Sequence, residues 1–186
     1  MELNGRELHF AYTVGAKREA DSLIAAHGGQ NLNDLLGGSL EAQEAGTCGM
    51  ILILSKWGEK MHAAEEPGYE PRPITAEELD LVPLNMHAAL YNEALAAMVR
   101  DSRREVEAEA PQQAQKKNRG GRAVVLTPTW ALFYGLKFLN LSRQEVMVTR
   151  WGEMLDLIAC LDVYNGAELR QAGSDFAAFD AQMEVE

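Results

Sequence analysis

Twelve consecutive residues, Pro111 to Arg122, contain no large apolar side chain, and they limit how this chain can be divided into packed units. The stretch reads Pro-Gln-Gln-Ala-Gln-Lys-Lys-Asn-Arg-Gly-Gly-Arg, so it has no apolar surface to offset the entropy lost on ordering. Charge marks the same boundary. Residues 1–110 carry 19 acids against 9 bases, while 111–122 hold Lys116, Lys117, Arg119 and Arg122 with no acid. The remainder returns to 9 acids against 4 bases. The expected layout is an N-terminal domain over 1–110, a flexible basic linker over 111–122, a helical extension over 123–170 and a loosely held tail over 171–186.

The net charge of −11 repels phosphate backbones, so nucleic acid is not an expected partner. The longest uninterrupted apolar run, Met50 to Leu54, is far too short to cross a bilayer. The opening Met-Glu-Leu-Asn-Gly-Arg-Glu lacks the basic start and apolar core of a secretory signal. No membrane association is therefore expected. Cys48 and Cys160 fall in different modules, and two reduced, packed thiols are expected rather than a disulfide.

Local patterns predict a mainly α fold of the α+β class: an N-terminal β-hairpin on a helical domain, then a small helical module. Asn4-Gly5 suits a two-residue turn, and Leu8, Phe10 and Tyr12 alternate with Glu7, His9 and Ala11 as a half-buried strand would. Helices are predicted from Ala16 to Ala26, stopped by Gly28-Gly29, and over Leu32 to Leu36. A longer helix follows, N-capped by Ser39, with Met50, Ile53, Leu54, Trp57 and Met61 on one face, although Met50 to Leu54 also fits a buried strand. Thr75 and Glu78 form a capping box. Pro83 opens a helix whose stripe is Leu84, Ala88, Tyr91, Leu95 and Met98, fading into charged residues through Glu109 as a helical extension or coil. Beyond the linker come Thr127-Pro128, a second capping box at Ser142 and Glu145, and a last helix from Trp151 stopped at Asn165-Gly166.

No catalytic constellation emerges. There is no phosphate-binding glycine loop, no Gly-x-Ser-x-Gly elbow and no pair of cysteines or histidines at zinc spacing. No cofactor and no metal are expected. His62 near Glu65 and Glu66 reads more simply as a helix end, and His87 as a histidine at the edge of a core. Glu77, Glu78 and Asp80 sit where a helix N-terminus favours negative charge, and Glu153 and Asp156 read as a solvent-facing edge. Two short helices from Leu141 and Trp151 have helix-turn-helix spacing, but the second offers only acids after Arg150, which argues against DNA. The remaining signal is aromatic: Trp130, Phe133, Tyr134 and Phe138 fall within nine positions at helical spacing. A small core is the simpler reading; as surface, they are the candidate protein-interaction residues.

Three stretches together resemble the tail assembly chaperones of long-tailed bacteriophages and prophages. Met1-Glu-Leu-Asn-Gly-Arg-Glu-Leu-His-Phe-Ala-Tyr12 looks like the hairpin that begins their N-terminal domain. Pro73-Ile-Thr-Ala-Glu-Glu-Leu-Asp80, leading into Leu84–Met98, is similar to that domain's closing helices. Leu141-Ser-Arg-Gln-Glu-Val146 and Gly152-Glu-Met-Leu-Asp-Leu-Ile158 look like the C-terminal extension, with Arg150-Trp151 where many relatives have proline or a small apolar residue. The resemblance implies a non-enzymatic protein of the host bacterial cytoplasm, absent from the mature virion. It would bind the tape measure protein through its N-terminal domain and recruit major tail tube protein subunits through its extension, with a homo-oligomer possible. In this family the longer form often arises by ribosomal frameshifting, and Lys116-Lys117 is where a slippery sequence would be encoded. A structural virion component, such as a head-tail connector or minor tail protein, is the alternative.

Overall fold

The computed structural model describes residues 2–3, 5–109 and 126–171. The expected linker, including Lys116-Lys117, and the tail beyond Gln171 lie outside the described residues. Around a central helix the order is β1 (Glu2–Leu3), β2 (Arg6–Glu7), α1 (Val14–Ala26), α2 (Leu32–Leu36), α3 (Leu40–Glu65), α4 (Ala76–Asp80) and α5 (Leu84–Asp101). Then follow β3 (Val106–Glu109), α6 (Pro128–Lys137), α7 (Arg143–Val148), α8 (Trp151–Tyr164) and β4 (Glu168–Gln171). The fold is mainly helical, with a short antiparallel N-terminal hairpin, as the sequence predicts.

Helix starts follow their caps. The side chains of Thr13, Asn31, Ser39, Thr75, Thr127 and Ser142 each accept from a backbone N–H of the first turn, and Asn31, Thr75 and Ser142 complete reciprocal boxes with Asp34, Glu78 and Glu145. Met50 to Leu54 is helical, not a strand, because it lies inside the 26-residue α3. That helix is buried on several sides, with α1, α2, α5 and α7 packed against it.

The N-terminal hairpin is shorter than predicted. It pairs Leu3 with Arg6 and Glu2 with Glu7, with Gly5 at φ +75° in the turn, and ends there. From Leu8 to Thr13 the chain runs through the interior with no neighbouring strand among the described residues, only a single antiparallel bridge of Thr13 to Arg150. Leu8, Phe10, Ala11 and Tyr12 are all buried, so the expected alternation fails. The backbone of this segment instead finds partners on distant elements. His9 N–H donates to Glu59 (3.3 Å), Ala11 N–H to the Leu54 carbonyl (3.2 Å) and Tyr12 N–H to Asp101 (2.9 Å). Trp151 N–H donates to the Tyr12 carbonyl and Val14 N–H to that of Thr149, both at 3.0 Å. Gly58 makes this approach possible, since a Cβ there would meet the His9 carbonyl.

Helix α5 is rotated from the predicted stripe. Its buried face is Leu90, Ala94, Ala97 and Asp101, while Leu84 and Ala88 are exposed and Tyr91, Leu95 and Met98 half-buried. Two alanines let α5 lie close to α3, and the carboxylate at 101 is needed inside by the Tyr12 N–H, so the deepest face is not the most apolar one. The charged stretch after α5 also departs from expectation. It becomes β3, antiparallel to β4 with Val106 opposite Gln171. Its entry is held by Asp156, which accepts from the N–H groups of Glu105 (2.9 Å) and Val106 (3.3 Å) and is therefore not a solvent-facing residue.

The stretch expected as a separate module shares the first one's core. Val146, Trp151, Met154 and Ile158 belong to one cluster with Tyr12, Val14, Met50, Leu54 and Trp57. Gly152 lets α8 meet the backbone after α5, where a Cβ would strike the Arg103 carbonyl. Cys48 is half-buried and Cys160 exposed, so both thiols are free but only the first is packed.

Trp151→Ala is expected to cost about 3–5 kcal/mol, as loss of a buried aromatic generally does. Gly58→Ala should cost about 1–3 kcal/mol, because the close approach of Leu8–Thr13 leaves no room for a methyl. Urea denaturation measures both. An unchanged midpoint for Gly58→Ala would mean that the segment does not lie against α3.

Candidate functional site

Helix α6 begins at Thr127, whose hydroxyl accepts from Trp130 N–H, with Pro128 at the first helical position. Its buried residues are Pro128, Ala131 and Gly135, spaced three and four apart, so the inward face is made of small residues. At Gly135 a Cβ would meet the Val146 side chain of α7. This close seat turns the large residues outward. Trp130 is 45% exposed, Phe133 47%, Leu136 45% and Phe138 52%, while Tyr134 is half-buried. Trp130, Phe133 and Phe138 thus form a surface, while Tyr134 packs against the core, so the simpler reading of a small core holds for one of the four.

The rings are mutually ordered. Phe133 is central, with centroid separations of 5.7 Å to Trp130, 6.0 Å to Tyr134 and 5.7 Å to Phe138, at interplanar angles of 84°, 86° and 83°. Edge-to-face pairs of this kind contribute about 0.5–1.5 kcal/mol each beyond burial, so the patch is held in place before any partner arrives. Large rings with few rotamers and half their area in water are what a binding partner can cover at small entropic cost. Leu136 belongs to the same surface; only its position between Phe133 and Phe138 signals this in the sequence.

A second apolar surface was not legible as a site. Leu40, Ile51, Leu84, Ala88 and Tyr91 line a groove of about 640 Å³ between α3 and α5, with Cys48 in its wall. Leu40 is 81% and Leu84 86% exposed, and the Tyr91 hydroxyl is buried with no hydrogen-bond partner among the described residues. Burial pushes both the Cys48 thiol and the Tyr91 phenol up from their ordinary values. The rotated phase of α5 produces this groove, because it leaves part of the predicted stripe in water.

The histidines singled out from sequence take structural places. His62 Nε2 lies 3.0 Å from Glu66, and its ring stacks on His9 at 3.8 Å with Tyr69 edge-on at 4.5 Å. Beneath them the fully buried Glu59 accepts from the Tyr69 hydroxyl (2.6 Å) and Arg72 N–H (2.9 Å) as well as from His9 N–H. The Tyr69–Glu59 hydrogen bond, then burial, push the Tyr69 phenol up to about 12. His87 Nε2 is 2.7 Å from the Leu79 carbonyl. Glu78 accepts from Thr75 N–H (3.0 Å) and pairs with Arg6 (2.8 Å); the Thr75 bond first, then Arg6, hold its carboxyl below the usual range. Glu77 is exposed in the first turn of α4, Asp80 exposed at its end and Glu153 exposed on α8. Among the described residues no group of three His, Cys, Asp or Glu side chains is placed to hold a metal ion. Nor is any helix among them long and apolar enough to cross a membrane.

In comparisons with known proteins, no family model, curated protein or solved structure matched this chain.

The two faces of α6 should respond oppositely to substitution. Trp130→Ser with Phe133→Ser is expected to change stability by no more than about 1 kcal/mol, as exposed positions do, whereas Ala131→Leu should cost about 1–3 kcal/mol by overpacking. Thermal melts read both, and a melt of the double variant as low as that of Ala131→Leu would place the aromatics inside.

Proposed function

We propose that the chain is a tail assembly chaperone of a long-tailed bacteriophage or prophage, acting in the host cytoplasm and left out of the finished virion. The observation that carries this reading is the pre-ordered aromatic face of α6. It supports a protein that works by covering and releasing another protein's apolar surface. The groove between α3 and α5 suits the apolar stripe of a client helix, the mode in which an amphipathic helix lies in a groove. On this reading the α3–α5 groove takes the tape measure protein and the α6 face takes the tail tube subunits. The strongly acidic composition keeps such a complex dispersed while its apolar surfaces are engaged. The motifs at 1–12, 73–80 and 141–158 add the family resemblance.

The shared core makes the whole chain the unit to test. A product ending in the linker would lack Val146, Trp151, Met154 and Ile158 and leave Tyr12 and Val14 uncovered. Co-expression of the full chain with the tape measure and tail tube proteins of its own locus is expected to keep the tape measure protein in solution and to co-purify both. Leu84→Ser with Leu40→Ser should lower recovery of the tape measure protein about tenfold, and Trp130→Ser with Phe133→Ser should do so for the tube protein. A tape measure protein that stays soluble alone and never co-purifies would sink the proposal. Mass spectrometry of purified particles separates the alternative, because a connector or minor tail protein must be present in them.

The frameshift origin is a separate proposal. The nucleotides encoding Lys116-Lys117 and their neighbours are expected to contain a slippery heptamer, and a sequence without one rules that origin out.

A further inference from the structure

A hollow of about 570 Å³ lies between the C-terminal half of α3 and α7, within the size range of small-ligand sites. Its walls are mostly apolar, with Trp57, Pro71, Met147 and Val148, and its charged lining residues are Lys60 and Arg143. Two cations and no acid around one hollow run against the balance of a chain with net charge −11. The neighbouring hollow, on the other side of Ala64 and Val148, is lined by three acids, Glu65, Glu145 and Glu153, and one cation, Arg150.

Among the described residues neither cation has a counter-ion. Lys17 is paired with Asp21, Lys56 with Glu19, Arg6 with Glu78, and Arg100 and Arg150 with Asp101. Lys60 and Arg143 have no carboxylate at ion-pair distance among the described residues. Glu145, two positions after Arg143, is engaged elsewhere, accepting from Ser142 N–H at 2.7 Å. Lys60 Nζ is held 4.5 Å over the Trp57 ring by cation–π attraction. Trp57 itself is more than nine-tenths buried, and its indole N–H has no acceptor among the described residues. Two unneutralised cations on the rim of an apolar hollow are suited to an anion that carries an apolar body.

We propose that this hollow binds an organic carboxylate carrying an apolar body. The carboxylate sits between Lys60 and Arg143, whose planar fork matches its two oxygens. The apolar body lies against Pro71, Met147 and Val148. The site is independent of the chaperone reading. Its ligand comes either as a free small acid or as an acidic side chain next to an apolar one on a partner's peptide.

Isothermal titration of the full chain with three probes tests this: 2-naphthoate, its uncharged analogue 2-naphthamide, and the capped peptide acetyl-Leu-Phe-Asp-Leu-amide. The acid is expected to bind at least about tenfold more tightly than the amide, and to weaken as sodium chloride is raised, as an exposed charge pair must. Lys60→Gln with Arg143→Gln should lower its affinity at least about tenfold while lowering stability by no more than about 1 kcal/mol, the scale of the exposed cation–π contact that is lost. A peptide tighter than naphthoate assigns the site to a partner's side chain, and a tighter naphthoate assigns it to a free acid. Equal binding of acid and amide overturns the proposal. So does an affinity indifferent to the double substitution, or no binding of either acid at millimolar concentration.

Discussion

The fold depends on how the backbone from Leu8 to Thr13 is satisfied. This segment is buried and extended, yet among the described residues no strand lies beside it, only a single antiparallel bridge of Thr13 to Arg150. A buried N–H without a partner costs about as much as several ordinary contacts contribute, so each must find an acceptor. Three elements supply them. Helix α3 gives the Glu59 carboxylate and the Leu54 carbonyl and α5 gives Asp101, while at the junction of α7 and α8 the Trp151 N–H donates to the Tyr12 carbonyl and the Thr149 carbonyl accepts from Val14 N–H. Two fully buried carboxylates, otherwise expensive in an apolar interior, are explained by this requirement. Arg100 completes it by donating to the Phe10 carbonyl (3.0 Å) while also pairing with Asp101 (2.8 Å).

Features governed by neighbours in the chain were legible in the sequence. Ser39, Thr75, Thr127 and Ser142 cap the helices they precede, and Gly28 and Gly166, both at positive φ, follow the helices they end. Those signals span three or four residues, so one sequence contains them whole. The path of Leu8–Thr13 was not legible because its partners stand 50 and 89 residues away, in Glu59 and Asp101. Leu8, Phe10 and Tyr12 alternate in the sequence but not in burial, since Ala11 is buried too with helices covering both sides. The β3–β4 pairing has the same cause, since charged strands carry little local signature and their partners are distant.

The aromatic residues of α6 were visible from the start, and their direction was not. A count of large apolar groups points Trp130, Phe133 and Phe138 inward. The decisive residues were the small ones, Ala131 and Gly135, which allow a closeness to α7 that no aromatic would. Helix α5 repeats the lesson with Ala94 and Ala97. In both helices the tight contact is bought with small side chains, and the bulk left over faces water as two separate apolar surfaces. The basic hollow at Trp57 was harder to foresee, since Lys60 and Arg143 come together only when α7 docks on α3.

Strand β3 precedes the stretch 110–125 and β4 follows α8, and the two are zipped together by four paired positions. The excursion from 110 to 167 therefore leaves and returns at the same place, like a loop drawn closed at its neck. The described residues on either side of that stretch are therefore tied to each other three times over: by the zipped strands, by Asp156 on the backbone of Glu105 and Val106, and by the common core around Trp151.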